Sequence, residues 1–105
     1  MRQTNADLKR YYRTANRLYF HNALPKDLPV RFAKLRGLGV TRVLNGSIPV
    51  VMEISGDLRR TSSLTILTVL HEMLHVEKPQ HKGHDWRFDK RMLRLAKAGA
   101  FDGLW

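Results

Sequence analysis

The spacing of apolar residues along the chain predicts three helices. Apolar residues recur at helical spacing over 5–21 and again over 86–98, with polar residues on the other faces. The segment 62–77 differs because much of it is apolar nearly all round, which is typical of a helix buried in the centre of a domain. Ser62 or Ser63 stands where a helix cap is expected. We therefore expect a central helix between an N-terminal and a C-terminal one.

The segment between the first two helices shows the patterns of three strands. Residues 30–35 alternate between apolar and polar side chains, as a half-buried strand does. Residues 40–43 and 49–54 flank Asn45-Gly46, a dipeptide that accommodates the positive φ angles of a tight hairpin turn. Together with the helices, these segments predict an α+β fold. It should form a single domain of all 105 residues with a three-stranded, mostly antiparallel sheet.

The central helix carries the sequence His71-Glu-Met-Leu-His75. Side chains four residues apart lie on the same face of a helix, so two imidazoles at this spacing can bind one Zn²⁺. Glu72 can then accept a proton from a water that the metal activates. The alternative is a pair of ordinary core or cleft histidines beside a solvated glutamate. Because a buried polar cluster is costly unless it is satisfied, the motif favours a zinc site with Glu72 as the catalytic base.

Composition restricts both the type of metal site and the class of partner. The chain has no cysteine, so disulfides and cysteine-based zinc sites are excluded. It also has no membrane-length apolar run and a polar N-terminus unlike a signal peptide, as expected of an intracellular protein without membrane contact. The net charge of +10 attracts polyanions such as DNA, RNA, an anionic membrane face or an acidic protein. The same charge would also keep the protein soluble and monomeric.

Five basic residues fall within the last predicted helix, and several share a face at helical spacing. A solvated helix surface is one interpretation of them. A stripe that binds phosphate groups near the metal is the other, and it predicts binding to DNA without sequence specificity. The residues are Arg87, Lys90, Arg91, Arg94 and Lys97.

A catalytic zinc usually has three protein ligands, and two histidines follow the motif. His81 lies six residues after His75, a spacing known for the third ligand of some zinc peptidases, but Lys78 stands where those enzymes have a glycine. His84 comes just before the last helix, from which its ring could point back at the metal. Spacing alone leaves both histidines open as the third ligand.

The chain resembles the SprT-like metallopeptidase family, which includes Spartan. Four features match in the same order across nearly the whole chain, and the ordered combination is more specific than the zinc motif alone. They are an opening helix with Tyr11-Tyr12, Asn16 and Phe20 leading to Leu24-Pro25, a strand ending in Glu53-Ile54-Ser55, the sequence Leu70-His-Glu-Met-Leu-His75, and His84 followed by Phe88.

The resemblance implies a zincin-like fold and a hydrolase activity, that of a zinc-dependent metalloendopeptidase. It implies one Zn²⁺ per chain, held by His71, His75 and His84, with Glu72 as general base. The family is associated with cleavage of proteins bound or crosslinked to DNA, so the expected partners are protein substrates and single- or double-stranded DNA. Asp85 stands where the family usually has glycine, and the cysteine zinc-binding segment of many relatives is not in this sequence.

Three further expectations concern substrate binding and competing functions. An extended substrate should add to the sheet beside the 50–55 strand, because zincin substrates pair with an edge strand. A zinc-dependent nuclease acting on RNA or DNA would also suit the charge, but it does not need Glu72. A nucleic-acid-binding module with a purely structural zinc is the third possibility, and the intact Glu72 argues against it.

Overall fold

Three helices and a three-stranded mixed sheet make up the protein in the computed structural model, which describes residues 2–78 and 86–100, with 86–88 described by their backbone alone. The elements are α1 (Asn5–Tyr19), β1 (Val30–Ala33), β2 (Gly39–Leu44), β3 (Ile48–Ser55), a short 3-10 helix (Gly56–Leu58), α2 (Ser62–Glu77) and α3 (Trp86–Lys97). The predicted α+β class is confirmed. The predicted helices are confirmed too, with differences of at most two residues at their ends.

Helix α1 begins with a capping box. The backbone N–H of Thr4 donates to Asp7 Oδ2 over 2.8 Å, and the backbone N–H of Asp7 donates to the Thr4 hydroxyl over 3.3 Å. These bonds satisfy two amides that a helix start leaves without partners. The hydrogen bond from Thr4 is also the main reason that the pKa of the Asp7 carboxyl is lowered. The start of the first helix is therefore determined by its local sequence.

The sheet order is β1-β3-β2, so β3 lies in the centre. β3 pairs in parallel with β1 and antiparallel with β2. The sheet is therefore mixed, whereas the sequence predicts a mostly antiparallel one. The parallel partner was not predicted, because only the hairpin partner of β3 can be recognised from neighbouring sequence. The prediction that a substrate pairs with the 50–55 strand is wrong, since both edges of this strand are already occupied. The edges of the sheet are β1 and β2.

The hairpin between β2 and β3 turns at the predicted dipeptide. Asn45 and Gly46 have φ angles of 54° and 73°, the left-handed values that this tight turn requires. The pairing shifts between Arg42 and Val43, which marks a β-bulge. The hairpin thus brings β2 back along β3 and places it at the edge of the sheet.

Helices α1 and α2 pack against each other and against the sheet. One continuous core results, and its largest fully buried apolar side chains are Tyr12, Leu8, Met52, Ile54, Leu70, Met73, Leu95 and Val69. Residues of β3 alternate between the two faces of the sheet, so Glu53 lies on the opposite face from Met52 and Ile54. None of the helices in the described ranges 2–78 and 86–100 is long and apolar enough to cross a membrane.

The Glu53 carboxylate forms ion pairs with two arginines on the neighbouring strands. It accepts hydrogen bonds from Arg31 of β1 over 3.0 Å and from Arg42 of β2 over 2.5 Å. The bond from Arg42 is the largest cause of the lowered pKa of Glu53, and burial opposes it. One acid thus links all three strands.

Candidate metal centre

Helix α2 begins without a side-chain cap. Its N-cap is Thr61, whose side chain makes no capping hydrogen bond, so the prediction that Ser62 or Ser63 caps the helix is wrong. The start is held instead by Thr65, whose hydroxyl donates to the Leu58 carbonyl over 2.8 Å and accepts from Gln3 over 3.0 Å. Tertiary contacts therefore replace the local cap.

The three motif residues lie together on α2. His71 and His75 are half-buried, their ring centroids lie 5.2 Å apart, and Glu72 is buried between helix and sheet. One nitrogen of each imidazole and one carboxylate oxygen of Glu72 all lie within 4.8 Å of one another. Ligands of a tetrahedral zinc lie about 3.3 Å apart, given bonds of about 2 Å, so modest side-chain rotations would bring the imidazoles to bonding distance. Two imidazoles in a cysteine-free site suit zinc better than Mg²⁺ or Ca²⁺, which prefer oxygen ligands.

Edge strand β2 positions the carboxylate of Glu72. The hydroxyl of Thr41 donates to Glu72 Oε1 over 3.0 Å and lies 3.3 Å from the backbone carbonyl oxygen of the same residue. Burial raises the pKa of the Glu72 carboxyl, and the hydrogen bond from Thr41 opposes that shift. Sequence reasoning missed Thr41, although its place in an alternating strand was a usable signal for a side chain on one sheet face.

Gly39 allows β2 to approach α2 closely. A Cβ at this position would lie 2.9 Å from Cγ2 of Thr68 and 3.1 Å from Cγ of Glu72. The sequence suggests a turn at Gly39, but the residue is the first of β2. A glycine stands here because helix α2 packs closely against this position, and not because the backbone needs a positive φ.

Replacing Gly39 with alanine is therefore expected to lower the free energy of unfolding by about 1–3 kcal/mol, the usual cost of overpacking. The added methyl group would also push Glu72 away from its place beside Thr41. Urea denaturation measures the stability, and Gly37→Ala is the matched control because nothing lies within 4 Å of a Cβ at that position. Equal midpoints for the two variants would contradict this account of the contact.

Both candidates for the third ligand, His81 and His84, lie outside the described residues, as does Asp85. The described geometry therefore concerns His71, Glu72 and His75, and the choice between the two other histidines stays a prediction.

Arg91 attaches α3 to the end of α2 and to the end of α1. Its guanidinium donates to both carboxylate oxygens of Glu77, over 2.9 and 3.0 Å, and to the Tyr19 carbonyl over 3.3 Å. It also lies over the ring of Phe20, 5.0 Å from the centroid. Glu77 lies two residues after His75, so this contact holds the middle of α3 against the end of the helix that carries the motif.

The predicted phosphate-binding stripe is thus divided by the fold. Arg91 is engaged within the protein, whereas Lys90, Arg94 and Lys97 have exposed side chains. The side chain of Arg87 lies outside the described part of the chain. Three of the five basic residues are accordingly placed where a phosphate could reach them.

Comparisons of the chain with protein-family models, with curated proteins and with solved structures find no match.

Proposed function

We propose that this protein is a zinc metallopeptidase with a zincin-like fold. The observation that carries the proposal is the placing of two imidazoles and a buried carboxylate on one helix, with the carboxylate hydrogen-bonded to the edge strand of the sheet. His71 and His75 would hold one zinc ion per chain. The resemblance to SprT-like metallopeptidases supplies His84 as the third ligand.

The residues of the site suit hydrolysis of a peptide bond. Bound zinc would supply Lewis-acid polarisation of the scissile carbonyl and of water. Glu72 would accept the proton of the attacking water and pass it to the leaving amine. The hydrogen bond from Thr41 holds Oε1 of that carboxylate, so Oε2 would be the oxygen that accepts the proton. The role of Thr41 is to position the base.

The substrate would bind along β2. An extended peptide can pair with the open edge of a sheet, where backbone groups still lack strand partners. In the described part of the chain, β2 pairs with β3 only. Because Thr41 of this strand contacts Glu72, a peptide added to that edge would pass beside the catalytic base.

The proposed substrates are proteins bound or crosslinked to DNA inside the cell. Support comes from the resemblance to the SprT-like family and from the net charge of +10, which favours binding to a polyanion. DNA would then raise the local concentration of its bound proteins near the zinc site. Binding to single- or double-stranded DNA would not depend on sequence, since phosphate contacts carry no base information.

Degradation of a DNA-binding protein tests this choice of substrate. Histone should be cleaved faster when DNA is added at low salt, and the stimulation should vanish at high salt as phosphate contacts weaken. Casein, which does not bind DNA, is the control and should show no such stimulation. Equal rates for histone with and without DNA would contradict the proposed substrate class while leaving the peptidase itself standing.

A further inference from the structure

An open groove of about 430 Å³ lies beside the C-terminal half of α1. Its lining contains three cations and one acid, together with polar side chains that can donate hydrogen bonds. The cations are Arg13, Arg17 and Lys26, and the acid is Asp27. The groove therefore presents a net positive charge of two in one concave surface.

The cations of the groove differ from four arginines elsewhere on the surface that are paired with carboxylates. Arg31 and Arg42 share the carboxylate of Glu53, Arg10 pairs with Asp7, and Arg91 pairs with Glu77. Within residues 2–78 and 86–100, by contrast, no ion pair involves the three groove cations. Their charge is thus available to a ligand.

The two walls of the groove are fixed to each other. The buried side chain of Asn16 donates to the Leu24 carbonyl over 3.0 Å and accepts from the Leu24 amide over 3.1 Å. The Tyr12 hydroxyl donates to the Pro25 carbonyl over 2.6 Å. These bonds fasten the segment before Lys26 to the helix that carries Arg13 and Arg17. Little backbone conformational entropy would then be lost when an anion binds.

The chain between these walls turns in a defined way. His21 and Asn22 are consecutive residues with left-handed φ angles of 53° and 59°. The amide of Asn22 donates to the Asn16 carbonyl over 2.9 Å, which closes the end of α1. This turn places Asn22 in the lining of the groove, where its side-chain amide can donate a hydrogen bond to a phosphate oxygen.

We propose that this groove binds the phosphate groups of a nucleic-acid backbone. Two guanidiniums and one ammonium are opposite in charge to phosphodiesters and can donate hydrogen bonds to their oxygens. The site is distinct from the predicted stripe on α3 and from the zinc centre. It deepens the proposed function, because it names the surface that would hold DNA, but its binding does not depend on peptidase activity.

Three triple variants with the same change of charge test the groove. Arg13, Arg17 and Lys26 are replaced by glutamine in the first. Lys90, Arg94 and Lys97 are replaced in the second. Arg2, Lys34 and Arg36, which are exposed and lie outside the groove, are replaced in the control. Fluorescence anisotropy with a labelled DNA strand at several salt concentrations measures affinity, and urea denaturation checks that each variant is folded.

The groove variant should bind DNA at least about tenfold more weakly than either other variant. Its plot of log affinity against log salt should also be flatter by about two to three units, the number expected for three lost phosphate contacts. Equal losses in all three variants would overturn the proposal, because net charge alone would then explain binding. A larger loss in the α3 variant would overturn it as well.

A fourth variant tests the proposal in the opposite direction. Asp27→Asn removes the acid that the described residues contribute to the groove lining, so it should strengthen DNA binding, a result that misfolding cannot produce. The gain should exceed that of Asp57→Asn, which makes the same change of charge at an exposed residue outside the groove. Competition with inorganic phosphate separates a site for a free anion from one for a strand. A backbone site would be contradicted if inorganic phosphate displaced DNA at a concentration as low as that of the DNA nucleotides. Unchanged DNA affinity in Asp27→Asn would contradict it as well. If the groove variant bound DNA as tightly as the control while zinc-dependent cleavage was intact, the groove proposal would fail and the proposed peptidase would still stand.

Discussion

Replacing Glu72 with glutamine is expected to lower cleavage of casein at least about a hundredfold, because a general base contributes on that scale. The amide keeps the shape of the side chain and can still accept the hydrogen bond from Thr41, so the position of α2 against β2 should not change. Zinc should stay bound, since the imidazoles of His71 and His75 are intact. Peptidase assays and metal analysis of the same sample measure both quantities.

Asp89→Asn is the control, because it makes the same carboxylate-to-amide change at an exposed residue outside the site. That variant should keep most of its peptidase activity. Near wild-type cleavage by Glu72→Gln would rule out the proposed mechanism. A nuclease activity that survives in Glu72→Gln while peptide cleavage is absent from the wild type would favour the nuclease alternative.

Replacing His84 with alanine is expected to remove stoichiometric zinc and with it the peptidase activity. The expectation rests on the resemblance to the SprT-like family, in which the corresponding histidine is the third ligand. His81→Ala is the control, since it removes an imidazole from the same short segment and should leave zinc in place. Equilibrium dialysis against buffered zinc measures both variants. The reverse order of zinc loss would assign the third ligand to His81.

Local sequence was sufficient where one segment determines its own structure. The apolar run before His71 predicts a buried helix at the position of α2. Asn45-Gly46 predicts the hairpin turn, because few other dipeptides accept two consecutive positive φ angles. The relative position of His71 and His75 follows from helical spacing alone. These features need no knowledge of the rest of the chain.

Features that depend on distant segments could not be predicted in the same way. The insertion of β3 between β1 and β2 is a pairing of segments about twenty residues apart, and no local pattern distinguishes it from a simple meander. Gly39 resembles a turn residue in the sequence, yet its function is to admit Glu72 and Thr68. In the sequence, Arg91 resembles its exposed neighbours on α3. Only the fold shows that it contacts the ends of α1 and α2.

Zinc stoichiometry tests the central claim most directly. Wild-type protein, stripped of metal and titrated with Zn²⁺, should bind one ion per chain and gain resistance to urea, because a ligand that binds only the folded state stabilises it. His71→Ala and His75→Ala should each lose both the stoichiometric binding and the added stability. A folded wild type that takes up no zinc, or variants that bind it as tightly as the wild type, would contradict the account.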